Sequence, residues 1–226
     1  MTHSLRLGKL NKSVMLAASA LFVVVGWFAF SADHASAKPR SGGGLAITSK
    51  PAAKKKVATR FGHRTLREGM AGDDVRILKS IVRSKSLLLG TPLTTDFDSP
   101  TTSAVKTFQR DRSIRPNGVV NKSTSKTLIR SMRTTEASWY GPGLYGNGVA
   151  CGGTLRPGTI GVAHKTLPCG SKVLVGYRGK FLMTKVIDRG PYIAGRSLDL
   201  TYAGADALGF ISAGVANVRY AVVNRK

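Results

Sequence analysis

The chain has 226 residues, 42% of them hydrophobic, and carries 35 Lys and Arg against 11 Asp and Glu, a net charge of +24. That length holds one or two small domains, and the cation surplus predicts attraction to a polyanion. No nucleic-acid fold signature accompanies the charge, so nucleic acid is not expected as a partner.

At the N-terminus, Arg6, Lys9 and Lys12 precede a run from Val14 to Phe30 that is apolar apart from Ser19 and Gly26, and Ala35-Ser36-Ala37 follows. A basic region, an apolar core and a small-x-small site predict a signal peptide over residues 1–37. The other reading is an uncleaved anchor, but the run falls short of the about 20 apolar residues a spanning helix needs. No cysteine lies near the site, which speaks against a lipid anchor. The mature chain is therefore expected to be secreted or periplasmic, cell-wall associated, and without a stable membrane span. Cleavage removes three basic residues and one acidic one, leaving +22. Outside the cytoplasm the available polyanions are anionic wall polymers and lipid headgroups.

Residues 38–64 hold Lys38-Pro39-Arg40, Ser41-Gly42-Gly43-Gly44 and Lys54-Lys55-Lys56 with little apolar periodicity. This composition predicts a basic flexible linker.

Residues 65–132 predict three helices. Asp73 or Asp74 is placed to cap a first helix with Val75, Leu78, Ile81 and Val82 on one face. A second begins near Ser99-Pro100, proline suiting a first helical turn, and turns Val105 and Phe108 inward. Arg115-Pro116-Asn117-Gly118 reads as a turn, and a third helix from Asn121 carries Leu128 and Ile129. The order Leu66-x-x-Gly69-x-x-Gly72-Asp73-Asp74-Val75, Phe97, Ala104-Val105-x-x-Phe108-Gln109 and Asn117-Gly118-Val119-Val120-x-x-x-Thr124 resembles the peptidoglycan-binding-domain-1 family from Leu66 to Leu128. The resemblance implies a three-helix wall-binding domain without catalysis. Asn121 and Asp98 stand where glycines are common in that family.

From Ala137 the pattern changes to strands. Lys172–Tyr177 and Phe181–Ile187, joined at Arg178-Gly179, read as a hairpin. Asn217–Val223 supplies a terminal strand, and Ala203–Leu208 one or two helical turns. Short strands with Gly and Pro punctuation predict a small barrel. Cys151 and Cys169 are the whole cysteine complement. In an exported chain they predict a disulfide worth about 3 kcal/mol; the alternatives are two free thiols or a metal site with His164, for which a fourth ligand is missing. Neither a metal nor an organic cofactor is expected.

Ala137-Ser138-Trp139-Tyr140-Gly141, Ala150-Cys151-Gly152, Gly161-Val162-Ala163-His164-Lys165-Thr166-Leu167-Pro168-Cys169-Gly170, Asp188-Arg189-Gly190-Pro191-Tyr192 and Leu198-Asp199-Leu200 together resemble the rare lipoprotein A-like double-psi β-barrel family, related to expansin-type barrels. The resemblance spans about Ala137 to Val223. It implies an α+β multidomain chain, a small three-helix domain (65–132) followed by a six-stranded double-psi β-barrel (137–226), with peptidoglycan as partner. In some members the activity is that of a lytic transglycosylase.

Cleaving a glycosidic bond needs a proton donor and a group that stabilises or activates. After Glu136 the only acids are Asp188, Asp199 and Asp206, and the only histidine is His164. Asp188 and Asp199 are the catalytic candidates, with His164 as hydrogen-bond partner or proton relay. Trp139, Tyr140 and Tyr192 are candidates for stacking on sugar, and Arg189 and Arg196 for holding an anionic group or balancing the aspartates. Nearby Lys185, Arg189 and Arg196 oppose protonation of either aspartate. In the family the phrase after the first strand usually ends in a functional glutamate; here Gly153 occupies that place. The alternative to a lytic transglycosylase is therefore a non-catalytic, expansin-like protein that binds and loosens the wall.

Overall fold

The computed structural model describes residues 58–224. The expected signal peptide (1–37) and most of the basic linker lie outside the described residues.

Three helices form where the apolar spacing predicts them: α1 Asp73–Arg83, α2 Ser99–Arg110 and α3 Lys122–Arg130. Their buried faces carry Val75, Leu78, Ile81 and Val82, then Val105 and Phe108, then Leu128. The first cap differs from expectation. Gly72 is the N-cap of α1, and neither Asp73 nor Asp74 caps it through its side chain. Asp74 is instead drawn to Arg64, whose Nε lies 2.6 Å from its Oδ2, because an ion pair closes there at low cost.

The two departures from the family pattern are the caps of α2 and α3. Asp98 Oδ1 accepts from the Thr101 N–H at 3.0 Å, and Asn121 Oδ1 from the Thr124 N–H at 2.9 Å. Each satisfies an amide the first helical turn leaves open. Asp98 has a second task, receiving the fully buried Lys79 ammonium on Oδ2 at 2.8 Å. Burial pushes the Asp98 carboxyl up, but the Lys79 and Thr101 donors outweigh it, and the net shift is downward.

The remaining strands are β1 Thr59–Arg60, β2 Arg133–Tyr140, β3 Val162–Ala163, β4 Lys172–Tyr177, β5 Lys180–Asp188, β6 Arg196–Thr201 and β7 Ala216–Asn224, with α4 Tyr202–Leu208 between β6 and β7. Six of them close a barrel in the order β5-β3-β6-β2-β7-β4 and back to β5, and β1 adds to one edge of β5. The pairs β2–β6 and β3–β5 are parallel and the others antiparallel. The expected hairpin is β4–β5, turning through Arg178 and Gly179 with φ of 46 and 78°, the left-handed pair a two-residue hairpin turn demands.

Two expectations about boundaries change. Residues 58–64 do not belong to a flexible spacer: Thr59 and Arg60 pair with Phe181 and Lys180, and Phe61 is buried. Arg133 already lies in β2, so only two residues separate the end of α3 from the barrel, which begins before Ala137.

The helices and the barrel share a core. Val173, Val175, Tyr177, Leu182, Leu198, Leu200 and Phe210 fill the barrel interior, whereas Leu174, Phe181, Ala221 and Val223 on its outer surface pack among the helical side chains Leu78, Ile81, Phe108 and Leu128. Strand β4 is thus buried on both faces, which explains its uninterrupted apolar sequence. The described residues, 58–224, lie within one compact unit.

Candidate functional site

The site is built on a row of paired residues. Ala163 at the end of β3 pairs with Asp188 on β5 and with Asp199 on β6, and Asp199 pairs in turn with Ser138 on β2. Paired residues on neighbouring strands point to the same face, so Asp188 and Asp199 flank one small side chain. With about 4.8 Å between strands, their Cα atoms are about 10 Å apart. An irregularity in the β3–β5 register skips Ile187 and sets Asp188, not its neighbour, opposite Ala163. Gly161 makes room for it, since a Cβ there would come within 2.3 Å of Ile187. Both aspartates are half-buried.

Their surroundings differ. Asp188 Oδ1 accepts the backbone N–H of Ala150 at 2.9 Å and of Arg189 at 2.8 Å, and the carboxyl group also interacts with the Tyr140 hydroxyl. Asp199 is pushed above the usual carboxylate range. Burial is the chief cause and the charge on Asp188 adds to it; Ser138 and Arg196 pull the other way and lose. Its Oδ1 is buried with no hydrogen-bond partner among the described residues. The opposition expected from nearby arginines is present but is outweighed by burial.

Tyr140, two residues beyond Ser138 on the same face of β2, brings a buried hydroxyl with no partner of ordinary hydrogen-bond geometry. Burial first, then Asp188 and Asp199, raise its pKa well beyond the normal phenol range. It therefore stays an O–H donor beside two carboxyl groups.

His164 is joined to Asp188 through the backbone, its N–H donating to the Asp188 carbonyl at 3.1 Å. Its Nδ1 accepts the N–H of Thr166 at 3.1 Å and of Leu167 at 3.0 Å. The neutral ring must then carry its proton on Nε2. Burial, then Arg189, Arg133 and Lys165, lower its pKa and hold it neutral. It holds the 164–167 turn and keeps one N–H available; a relay through both nitrogens is closed.

The remaining candidates separate. Arg189 donates to the carbonyls of Leu167 at 2.9 Å and His164 at 3.3 Å and reaches Cys169 Sγ at 3.2 Å, so its guanidinium is spent on the loop. Trp139 points to the other face of β2, its Nε1 donating to Ile211 O at 3.2 Å and its ring edge-on to Tyr202. Tyr192 is 81% exposed in the β5–β6 loop, beside the exposed Ile193. Arg196 lies 3.5 Å from Glu136 and 3.4 Å from Ser138 Oγ.

Glu136 and Ser138 were missed in the sequence. The alternation Glu136-x-Ser138-x-Tyr140 was the available signal, but it becomes legible only once Asp199 is known to pair with Ser138. Cys151 and Cys169 are disulfide-bonded, which removes the thiol and metal alternatives. The bridge ties the 149–153 turn, whose Ala150 holds Asp188, to the loop that Arg189 holds. Gly153, at φ 91°, has open space where a side chain would start.

Comparison with known proteins agrees with this architecture. A family model described as lytic transglycolase matches residues 133–220, and the peptidoglycan binding domain model matches residues 71–128. The chain is 37% identical over 106 residues to the probable endolytic peptidoglycan transglycosylase RlpA of Synechocystis, covering 46% of this chain and 33% of that one. It is 42% identical over 90 residues to RlpA of Vibrio cholerae, covering 39% and 34%, and 32% identical over 129 residues to RlpA of Campylobacter jejuni, covering 55% and 45%. The chain thus matches less than half the length of each of these relatives. Among solved structures, a Clavibacter michiganensis expansin aligns at 25% identity and a TM-score of 0.34, over 41% of this chain and 51% of that one. The N-terminal domain of SleB aligns at 22% identity and a TM-score of 0.30, over 31% and 96%. Residues 133–220 are an RlpA-like double-psi β-barrel domain of the lytic transglycolase family, and the helices before it are a domain of the peptidoglycan-binding type.

Proposed function

We propose that the chain is an exported wall protein that cleaves peptidoglycan glycan strands as a lytic transglycosylase. The observation that carries this reading is the pair Asp188 and Asp199 on one face, one backbone-anchored and the other biased by burial toward its protonated form. Two carboxyl groups in contrasting environments are the means by which acid and base work are divided.

In this reaction Asp199 gives its proton to the glycosidic oxygen as the C1–O bond breaks. Asp188 stabilises the positive charge that develops on the ring, and the Tyr140 hydroxyl and His164 Nε2–H orient the sugar. The sugar's own 6-hydroxyl oxygen then bonds to C1 and passes its proton to the Asp199 carboxylate. The product is an anhydro end and Asp199 is restored. The helical domain supplies wall affinity, and the basic surface adds attraction to anionic wall polymers.

The test is direct. Residues 38–226 are incubated with purified peptidoglycan, and anhydro-ended fragments are sought by mass spectrometry alongside Asp188→Asn and Asp199→Asn. New ends lost in Asp199→Asn support the enzyme. One feature favours the expansin-like alternative, the absence of an acid at Gly153, and binding without new ends from the unaltered chain would select it.

A further inference from the structure

The helices and the barrel meet along a seam, and a cavity of about 290 Å³ opens there. The end of α1, the residues leading into β2 and the end of β7 form its walls. Its lining includes Arg83, Lys85 and Arg133 and no acidic residue.

These cations are left uncompensated by the described residues nearby. Arg83 Nε donates to Leu88 O at 3.1 Å and Lys85 Nζ to Ser131 O, both neutral carbonyls. Arg83 Nη2 is buried and has no hydrogen-bond partner among the described residues. Burial, then the like charges of Arg112 and Arg133, push the Lys85 pKa down. A buried donor without an acceptor and a crowd of like charges are both relieved by one bound oxyanion. Leu89, Met132 and Val223 line the same space, which suits a carboxylate carried on short aliphatic groups better than a bare inorganic ion. The guanidinium fork fits a carboxylate in plane.

Arg133, which lines the cavity, begins β2, the strand whose Ser138 pairs with Asp199 at the candidate site. We propose that the seam cavity is a carboxylate subsite for peptidoglycan, engaging a carboxyl group of the strand whose glycan lies across Asp188 and Asp199. This rests on the wall-glycan reading above. The carboxyl group has two sources in the polymer, the stem peptide and the lactyl ether on the sugar, whose carboxylate is free only where the peptide has been removed.

The experiment compares three forms of sacculi: intact, stripped of stem peptides by an amidase, and esterified at their carboxyl groups. Co-sedimentation is measured for residues 38–226, for the Arg83→Gln, Lys85→Gln double variant, and for Lys122→Gln, Lys126→Gln, which removes equal charge from exposed positions on α3. Thermal unfolding checks that each variant folds, and each single substitution is measured if the double variant does not.

The seam variant is expected to bind at least tenfold more weakly than the α3 variant on intact or on stripped sacculi, and the two are expected to match on esterified sacculi. A difference on intact sacculi that is lost on stripped ones assigns the stem peptide, and one that appears or grows on stripped sacculi assigns the lactyl carboxylate; both support the subsite. Equal weakening by the two variants on both intact and stripped sacculi, or a difference that survives esterification, overturns it. If the unaltered chain binds no form of sacculi, the wall reading itself fails; binding and cleavage without a seam-specific difference defeat the subsite alone.

Discussion

Phe61 packs edge-on against Phe181, with ring centroids 5.9 Å apart. One ring precedes the helical domain in sequence and the other lies on the outer face of barrel strand β5. From Thr59 the chain therefore runs along the barrel, passes through the helices and returns to the barrel. The helical domain is clamped against the barrel at both its ends.

Phe61→Ala is expected to cost about 3–5 kcal/mol, as for an aromatic removed from a close-packed core. Because the two domains share that core, residues 38–226 should unfold in one calorimetric transition, and the mutation should lower it as a whole. Two separate transitions, with only one moved, would contradict the shared core.

Lys79 and Asp98 supply a second stability test. Asp98→Ala strands a fully buried ammonium, which is expected to cost about 3–5 kcal/mol, with about 1 kcal/mol more from the lost cap of α2. Asp98→Asn keeps a cap oxygen and loses the charge, so it should fall between Ala and the unaltered chain in urea titrations.

The disulfide should matter to both stability and the site. Replacing Cys151 and Cys169 with Ala opens a loop of sequence separation 18, at an expected cost of about 3 kcal/mol. It also frees the turn that holds Asp188, so the yield of anhydro ends should drop further than unfolding alone explains, measured well below the melting temperature.

The pH dependence follows from two shifts of opposite sign. The folded pKa of Asp199 is raised, so the folded state holds that proton more tightly than the unfolded chain does. Its contribution falls as pH rises from the ordinary carboxylate value through the raised one. His164 is lowered; its contribution is present above the ordinary imidazole value and is lost as pH falls through the folded one. Asp199→Asn should therefore abolish cleavage yet stabilise the chain at neutral pH. That gain should vanish in acid, as read from urea midpoints across a pH series.

Gly153→Glu tests the family's missing acid. The space is open, but φ of 91° makes any side chain there strained, at a cost of about 1 kcal/mol. The substitution is expected to raise the yield of anhydro ends; an unchanged yield in a folded variant would show that the barrel does not need that carboxylate.

Much of the fold was present in local pattern. The helix faces at Val75, Leu78 and Val105, the hairpin turn at Arg178-Gly179 and the strand Lys172–Tyr177 are written in spacing and turn chemistry, which act over a few residues. The scarcity of acids after Glu136 singled out Asp188 and Asp199 for the same reason: composition is visible without a fold. What spacing could not assign was which side chains are spent on the protein itself. Arg189 and Trp139 look as suitable for a ligand as Tyr140 does, yet their polar atoms are taken by carbonyls 22 to 72 residues away in the chain.

The sequence alone determined the two domain types, the pair of cysteines and the two aspartates, because each is a matter of residue identity or short-range order. Tertiary structure decided that Asp188 and Asp199 share a face across Ala163, that burial rather than the neighbouring arginines governs Asp199, and that helices and barrel close over one core. Strand register and desolvation arise from residues far apart in sequence, and only the closed barrel brings those residues together.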